Sequence, residues 1–171
     1  MDFSVDVKQQ ELIALAKTIA EKEIAPRAVR IDKSGVMDEE LLKVMKESGM
    51  TQLSVPKEYG GAGIDLLTGA LISEQLSKGC AGVATICAAN SLASFPILFA
   101  GSDMQKRDLF DCLNRGGMAC FALTEPGAGS DAGAVSCRAE KVEGGYILNG
   151  TKCFITNAPI ADKITLFANT R

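Results

Sequence analysis

The most informative stretch of this sequence is Ala122-Leu123-Thr124-Glu125-Pro126-Gly127-Ala128-Gly129-Ser130-Asp131-Ala132-Gly133. A short apolar run here meets a dense cluster of glycine, serine and acidic residues. Because glycine lacks a Cβ atom, the backbone of such a loop can approach a ligand closely, and its exposed N–H groups favour an anion or a carbonyl oxygen. An ordinary glycine-rich turn between two strands has the same composition, so composition leaves a ligand loop and a simple turn as alternatives.

A second polar and aromatic cluster follows further along the chain, and it is Asn149-Gly150-Thr151-Lys152-Cys153-Phe154-Ile155-Thr156-Asn157. Its residues favour a strand, and Asn149-Gly150 is the strongest kind of short hairpin signal. Together the two clusters suggest a site for a flat ring system with a phosphate or carbonyl partner. A dinucleotide-binding fold is disfavoured, because Gly133 is misplaced for G-x-G-x-x-G and the residues after it alternate as in a strand.

Helical spacing of apolar residues dominates the sequence before Gly117. Asp6 with Gln9, and Ser102 with Gln105, form capping-box starts. We predict helices at about 6–26, where Pro26 ends or bends the first one, and at 38–48, 65–78, 81–100 and 102–114.

The pattern changes after Gly117, where strands are predicted at 118–123, 135–142, 146–148, 153–156 and 164–168. The sequence therefore predicts an α+β fold, with an N-terminal all-α helical domain at 1–117 and the start of an antiparallel β-barrel-like domain at 118–171. The last predicted strand runs into Arg171 and leaves an open edge. We therefore expect the chain to be the N-terminal part of a longer protein.

Composition disfavours several classes of function. The formal net charge of −3 and the lack of tryptophan argue against a nucleic-acid partner, which requires a basic face and is often stacked on aromatic rings. The six cysteines form no CxxC pair and the chain has no histidine, so we expect no metal site. Free thiols and a start without an export signal indicate a cytoplasmic protein. The apolar segment 81–100 contains Asn90 and Ser94, so we interpret it as a buried helix and expect no membrane partner.

Motifs spread over the whole chain resemble the acyl-CoA dehydrogenase family of flavoproteins. The residues from Leu123 to Asp131 are similar to that family's first signature, and those from Asn149 to Asn157 are similar to its next conserved block. Three further stretches are similar to the family's helical domain: Val55-Pro56-Lys57-Glu58-Tyr59-Gly60-Gly61, Asn90-Ser91-Leu92 with Pro96-Ile97, and Gly101 to Leu113. Because these motifs occur in the right order, the resemblance is specific.

This resemblance implies FAD as the cofactor. In the family, residues equivalent to Leu123 and Thr124 bind the pyrimidine side of the flavin, and the equivalent of Thr156 offers a hydroxyl near N5. The full set that the resemblance implies at the cofactor is Phe121, Leu123, Thr124, Gly129, Ser130, Phe154, Ile155 and Thr156. Family members often carry tryptophan at the position of Phe154, and phenylalanine keeps the flat face but lacks the indole donor.

The resemblance also implies an acyl-CoA substrate. The helix predicted at 81–100 would line the acyl pocket with Ala88, Ala89 and Leu92, although plain core packing accounts for these positions equally well. Ser130 would bridge towards the cofactor phosphates and the CoA portion of the substrate. The resemblance leaves the length of the acyl chain unspecified.

No catalytic residue is assigned within this chain. The family's base is a glutamate in a C-terminal helical domain, which this chain lacks, so the base is expected beyond Arg171. Glu125 is rejected as a base, because the family uses that position structurally. The resemblance thus implies the N-terminal part of an FAD-dependent acyl-CoA dehydrogenase that oxidises an acyl-CoA to the 2,3-enoyl-CoA, and this part alone is expected to be inactive.

Other functions stay open at this point. The chain suits a catalytically inactive fragment that binds flavin or acyl-CoA, and it also suits a same-fold acyl-CoA oxidase or flavin monooxygenase. The resemblance further implies an electron-transfer flavoprotein as the electron acceptor, a homotetramer and a role in fatty acid metabolism. We therefore expect the chain to form a homo-oligomer.

Overall fold

Helices precede strands in the computed structural model, which describes residues 4–170. The helices are α1 (Val7–Ile19), α2 (Ala25–Ser34), α3 (Glu39–Glu47), α4 (Leu66–Gly79), α5 (Ala81–Ala100) and α6 (Asp103–Asn114). The strands are β1 (Ala119–Ala122), β2 (Arg138–Val142), β3 (Gly145–Asn149) and β4 (Lys163–Leu166). This order confirms the predicted α+β class.

Side-chain caps explain where four of the helices begin. Asp6 and Ser102 each form a capping box with the glutamine three residues later. Asp38 and Asp65 each accept a hydrogen bond from the backbone N–H three residues later. Each such cap satisfies an N–H group that has no partner inside the helix, and stabilises it by about 1 kcal/mol. These starts agree with the predicted ones.

The sequence predicts that Pro26 either ends or bends the first helix. In the structure, the helix does not end at Pro26. Residues Ala20–Ile24 form a π-helical turn, after which the helix continues as α2 to Ser34. Pro26 lies in the first turn of α2, directly after the π-helical turn, and it has no N–H group to donate to the preceding turn. The wider turn is the structural feature that accommodates this proline within a continuous helix.

Two apolar clusters form the core, and α5 contributes to both of them. The first cluster joins α1, α3, α4 and the first half of α5, and the second joins α5, α6 and β1. By length and composition α5 would suit a membrane span. It packs against α4, α6, β1 and β4, and its Asn90 and Ser94 are fully buried and hydrogen-bonded. We therefore interpret α5 as a core helix.

The four strands form two separate pairs. Strands β2 and β3 form an antiparallel hairpin, whereas β1 and β4 pair in parallel, with Cys120 opposite Ile164. The hairpin turn lies between β2 and β3 at 143–144, so the hairpin predicted at Asn149-Gly150 is wrong. A Cβ atom on Gly150 would lie 2.7 Å from the Cα atom of Cys137. Close packing therefore explains this glycine.

The strand predicted at 153–156 is also wrong. These residues form an irregular turn, in which Phe154 has a φ of 56° and the following Asn157 a φ of 70°. Both values lie in the left-handed region, which interrupts an extended strand. The turn instead places Phe154 and Thr156 at one side of a large cleft.

Candidate functional site

A cleft of about 1260 Å³ opens between α4 and α5 and continues to the end of β1. Its helical walls are mainly apolar, with Leu76 from α4 and Leu92 and Phe95 from α5. The far side of this α4–α5 cleft carries two polar hydroxyls, from Thr124 and Thr156. The cleft is therefore shaped for a ligand with a long apolar portion and a polar end.

The two informative sequence clusters meet at that polar end. The backbone N–H of Cys153 donates a hydrogen bond of 2.9 Å to the carbonyl oxygen of Thr124. The Nζ atom of Lys152 donates one of 2.9 Å to the carbonyl oxygen of Leu123. The loop after β1 and the segment after β3 thus lie side by side, as the sequence analysis expects, although the second segment is a turn and not a strand.

A buried ion pair stabilises the loop that follows β1. Glu125 is 4% exposed, and its Oε1 atom accepts hydrogen bonds from Lys152 Nζ at 2.8 Å and from the N–H of Cys137 at 2.9 Å. Its Oε2 atom accepts bonds from the Oγ atom and the N–H of Ser136 at 2.6 and 2.7 Å. The bond from Lys152, followed by those from Ser136, lowers the pKa of Glu125 to about 2.

This environment makes Glu125 unsuitable as a catalytic base. A base for proton transfer near neutral pH needs a pKa near that pH and free access to its substrate. Glu125 stays ionised at neutral pH and directs both of its oxygens at groups of the protein. Its contacts hold the loop in place, in line with the structural role expected from the sequence.

Among the described residues 4–170, one carboxylate lines the cleft itself, that of Asp65. Asp65 caps α4 through the N–H of Thr68 and also accepts a bond from Gln9 Nε2 at 2.6 Å. The bond from the Thr68 N–H is the largest cause that lowers the pKa of Asp65. Burial raises the pKa of Cys87, which also lines the cleft, to about 12, so this thiol stays protonated. Neither group suits a base near neutral pH.

The polar end of the cleft fits a flat heterocycle by its own geometry. Phe154 is 93% exposed and held at a φ of 56°, which is an unusual state for an aromatic residue and marks functional sites. Across the described residues, the hydroxyls of Thr124 and Thr156 make no hydrogen bond within the protein. An aromatic face can stack on a flat ring, and two free hydroxyls can bind the polar atoms at its edge.

The loop glycines fit a ligand as well. Ideal Cβ atoms on Gly127 and Gly129 would meet nothing within 4 Å, and neither residue has a positive φ. Neither packing nor backbone conformation therefore requires glycine at these two positions. Close approach of a ligand to the loop is a physical reason for both, which favours the ligand loop over the simple turn.

Most of the residues predicted to bind cofactor or substrate lie in the cleft. Those that line it are Phe121, Thr124, Phe154, Thr156, Ala88, Ala89 and Leu92. Leu123 and Ile155 are half-buried beside it, and Gly129 and Ser130 lie on the exposed loop beyond it. The structure thus brings most of the residues predicted to bind flavin or the acyl group to one cavity, and the ligand contacts predicted for all of them stay predictions.

Lys152, Asn90 and Asn157 have structural roles that are not predicted from the sequence. Lys152 and Asn157 belong to the second cluster and Asn90 to a helical motif, so the motif positions themselves were the available signal. The sequence did not predict their partners. Lys152 binds Glu125, which lies 27 residues away, and Asn157 binds Ile86 of α5, which lies 71 residues away. Such contacts depend on the fold.

Family models cover nearly all of the chain. A model described as "Acyl-CoA dehydrogenase, N-terminal domain" matches residues 6–117, and a model described as "Acyl-CoA dehydrogenase, middle domain" matches residues 120–171. Together they account for the helical part and for the strands that complete the cleft.

Curated relatives include enzymes that work in opposite chemical directions. The chain is similar to the 3-(aryl)acrylate reductase of Clostridium sporogenes (strain ATCC 15579), with 46% identity over 167 residues, 95% of this chain and 44% of the relative. It is also similar to the mitochondrial short-chain specific acyl-CoA dehydrogenase of Homo sapiens, with 42% identity over 163 residues, 94% of this chain and 40% of the relative. The chain therefore spans less than half the length of these relatives.

Solved structures share the fold closely. Butyryl-CoA dehydrogenase from Megasphaera elsdenii matches with a TM-score of 0.90 and 38% identity over 100% of this chain and 46% of that chain. A chain in the structure described as the electron transferring flavoprotein of Acidaminococcus fermentans gives 0.91 and 38%, with the same coverage. The FAD complex of PigA gives 0.86 and 34%, again over 100% and 46% of the two chains.

Proposed function

This chain belongs to the acyl-CoA dehydrogenase family, and from that premise we propose that its α4–α5 cleft holds an acyl-CoA thioester beside FAD. The whole protein that contains this cleft would be an oxidoreductase acting on the Cα–Cβ bond of the acyl group. The single observation that carries the proposal is the meeting of the Thr124 loop and the Phe154–Thr156 turn at the polar end of an apolar cleft.

Five features of this chain would hold FAD. Thr124 and Thr156 have hydroxyls free to bind polar edges of the ring, and Phe154 offers an exposed face for stacking. The glycine loop at 127–129 leaves room for phosphate groups against its backbone, and Leu123 is kept in place by Lys152. Bound in this way, FAD would supply the acceptor for the hydride that leaves the β-carbon.

The apolar walls of the cleft would hold the acyl chain. Ala88, Ala89 and Leu92 lie along one side of α5, and their small or flexible side chains leave space between α4 and α5. Burying an acyl chain against these walls removes water from around the reacting carbons. Each buried CH₂ group stabilises the bound state by about 0.8 kcal/mol. The chain's own contribution is therefore binding and orientation.

The base that removes the α-proton is not assigned to this chain. Asp65 is the one carboxylate of the cleft among the described residues, and its hydrogen bonds commit it to capping α4. We therefore propose that a carboxylate from outside these residues acts as the base, and that the 171-residue chain alone does not turn over.

Reduction is a second candidate for the direction of the reaction. The 46% identity to a 3-(aryl)acrylate reductase supports reduction of a 2,3-unsaturated acid derivative, whereas the likeness to butyryl-CoA dehydrogenase supports oxidation. Both directions use the same site, because each moves hydrogen between the same two carbons and the same cofactor. We place oxidation first, since both family models carry that description.

We further propose an electron-transfer flavoprotein as the redox partner. The likeness to a chain in the structure described as an electron transferring flavoprotein supports this proposal.

Exposed apolar side chains such as Phe99 (80%) and Met104 (77%) support assembly into a homo-oligomer. Six cysteines without a disulfide support a reducing, cytoplasmic compartment.

An absorption spectrum of the purified native protein tests the proposal. We expect visible bands of oxidised flavin that bleach when a saturated acyl-CoA is added without oxygen, because hydride transfer reduces the flavin. The same bands should return when an enoyl-CoA is added to the reduced protein, because the enoyl-CoA accepts the hydride and reoxidises the flavin. Bleaching by the saturated acyl-CoA favours oxidation as the direction of the reaction. If this ligand causes no bleaching, but dithionite-reduced flavin is reoxidised by the enoyl-CoA, reduction is favoured. A protein that binds neither FAD nor any acyl-CoA would refute the proposal.

A further inference from the structure

One buried side-chain amide joins three parts of the cleft. The Nδ2 atom of Asn157 donates hydrogen bonds to the carbonyl oxygen of Ile86 in α5 at 2.9 Å and to that of Ala119 in β1 at 3.1 Å. Asn157 itself ends the turn that carries Phe154 and Thr156. A single amide therefore connects the acyl wall, the strand and the turn.

Asn90 completes this arrangement from α5. Its Oδ1 atom accepts a bond of 2.7 Å from the N–H of Ala119 and lies 3.4 Å from Asn157 Nδ2. Its Nδ2 atom donates to the carbonyl oxygen of Thr51 at 2.8 Å. The two asparagines thus satisfy both backbone groups of Ala119 on the edge of β1 that faces away from β4. A second strand would ordinarily fill that place.

The amide is oriented by its surroundings. Asn157 Nδ2 faces three oxygen atoms, from Ile86, Ala119 and Asn90. A flipped amide would place Oδ1 against those oxygens, so only a donor fits there. The Oδ1 atom is buried and has no partner among the described residues. A carboxylate of the same size would set a negative charge against the three oxygens.

The backbone at this position needs such an anchor. Asn157 and Phe154 both have positive φ values, 70° and 56°, and such conformations persist only where neighbouring contacts stabilise them. Asparagine adopts this region more readily than most residues. The side-chain bonds to Ile86 and Ala119 hold the end of the turn that carries Thr156 and Phe154.

We propose that Asn157 is a positioning residue, which fixes Thr156 and Phe154 relative to the acyl-lining face of α5 and so sets how the flavin is held against the acyl group. This inference rests on the proposed function. Ile86 lies one helical turn or less from Ala88 and Ala89 on α5, so the bond of Asn157 to Ile86 links the turn directly to the wall that would hold the substrate. Small displacements of such groups have large effects on reaction geometry.

The test compares Asn157→Asp with a matched change elsewhere in the native protein. Asn114 also donates its Nδ2 to a carbonyl, that of Tyr59 at 2.6 Å, but lies outside the cleft. Asn114→Asp therefore measures the general cost of replacing an amide that anchors a loop. For each variant, far-UV circular dichroism and the Tm report folding, and titration with FAD reports its Kd and the visible spectrum of the bound flavin.

We expect Asn157→Asp to raise the Kd for FAD at least about tenfold and to change the visible spectrum of bound FAD. Asn114→Asp should lower the Tm by a comparable amount but leave the Kd and the spectrum unchanged. Asn157→Gly keeps the left-handed backbone accessible and adds no charge, so it serves where the aspartate variant does not fold. It should raise the Kd severalfold and change the spectrum in the same direction.

Variants of Asn157 that fold and bind FAD with wild-type Kd and spectrum would overturn the inference, as would equal effects of the Asn114 change. A wild-type protein that binds no FAD would refute the proposed function and this inference with it. Binding by the wild type with unaffected Asn157 variants refutes the inference alone.

Discussion

The Nζ atom of Lys152 lies 2.8 Å from the Oε1 atom of Glu125, and both side chains are buried. The same Nζ atom lies 2.9 Å from the carbonyl oxygen of Leu123. One lysine therefore both neutralises a buried carboxylate and holds the backbone that leads to Thr124. The loop and the turn that form the polar end of the cleft are fixed to each other through this pair.

Removing the cation of this pair should destabilise the protein. We expect Lys152→Met to lower the Tm by roughly 10 °C, because the change leaves an ionised carboxylate buried without its partner. Lys43 and Glu47 form an exposed pair at 3.7 Å on α3, so Lys43→Met is the matched control and should change the Tm by less than about 2 °C. Thermal unfolding followed by circular dichroism measures both, and similar losses in the two variants would contradict the prediction.

Stability should fall in acid through Glu125. Its pKa is lowered from 4.5 to about 2 in the folded protein, so the unfolded chain binds a proton first as the pH falls. The contribution of Glu125 is therefore complete above pH 4.5 and is lost as the pH falls towards about 2. Urea unfolding at several pH values measures it. Glu125→Gln does not titrate, so its stability should fall less steeply across this interval, and equal slopes would rule out the assignment.

The face of Phe154 should matter for FAD and not for folding. Its side chain is 93% exposed, so Phe154→Ala loses a stacking surface without leaving a cavity. We expect the Kd for FAD to rise about tenfold, which corresponds to about 1.4 kcal/mol, and we expect Phe154→Trp to retain binding. Tyr146, which is 56% exposed on β3 and outside the cleft, is the control residue. Titration with FAD, followed by the visible flavin spectrum, measures the Kd. A wild-type Kd in Phe154→Ala would disprove stacking.

The acyl wall can be tested separately from the flavin. Ala88 is exposed to the cleft, so Ala88→Phe should fill acyl space without crowding the core. We expect binding of an acyl-CoA to weaken about tenfold or more, with the Kd for FAD unchanged. Ala81→Phe, at the exposed start of the same helix, controls for a larger side chain on α5. Calorimetric titration with acyl-CoA measures the effect, and a loss of FAD binding in Ala88→Phe would place the flavin at that wall instead.

Thiol reactivity should follow burial. Burial raises the pKa of Cys87 to about 12 and also raises those of Cys112 and Cys120, so little of the reactive thiolate forms at neutral pH. Cys80 and Cys153 are half-buried and should react first with a disulfide reagent. All six thiols should react after unfolding in guanidinium. Rapid labelling of Cys87 in the native protein, located by mass spectrometry, would be inconsistent with this structure.

Local signals predicted the helices well because each helix start is determined by nearby residues. Asp6, Asp38, Asp65 and Ser102 all cap helices at the predicted places, since a cap needs only the next three residues. The sequence left open whether the first helix ends or bends at Pro26, because a π-helical turn has no sequence signal as plain as proline itself.

The errors lie in the turn after β3, where tertiary contacts override local preference. The residues from Cys153 to Thr156 favour a strand by composition, but the bonds of Asn157 to α5 and β1 hold their end in a left-handed conformation. Gly150 suggested a hairpin, whereas its packing against Cys137 explains it. The candidate site was predicted at the level of segments, and the partners that shape it were not, because they lie far away in sequence.

A crystal structure of the native protein with FAD measures the central claim most directly. We predict that the isoalloxazine ring lies at the polar end of the α4–α5 cleft, with the hydroxyls of Thr124 and Thr156 both within hydrogen-bonding distance of its polar atoms. A flavin ring located elsewhere on the protein, or one that contacts only one of the two threonines, would contradict the claim that these segments form a single cofactor site.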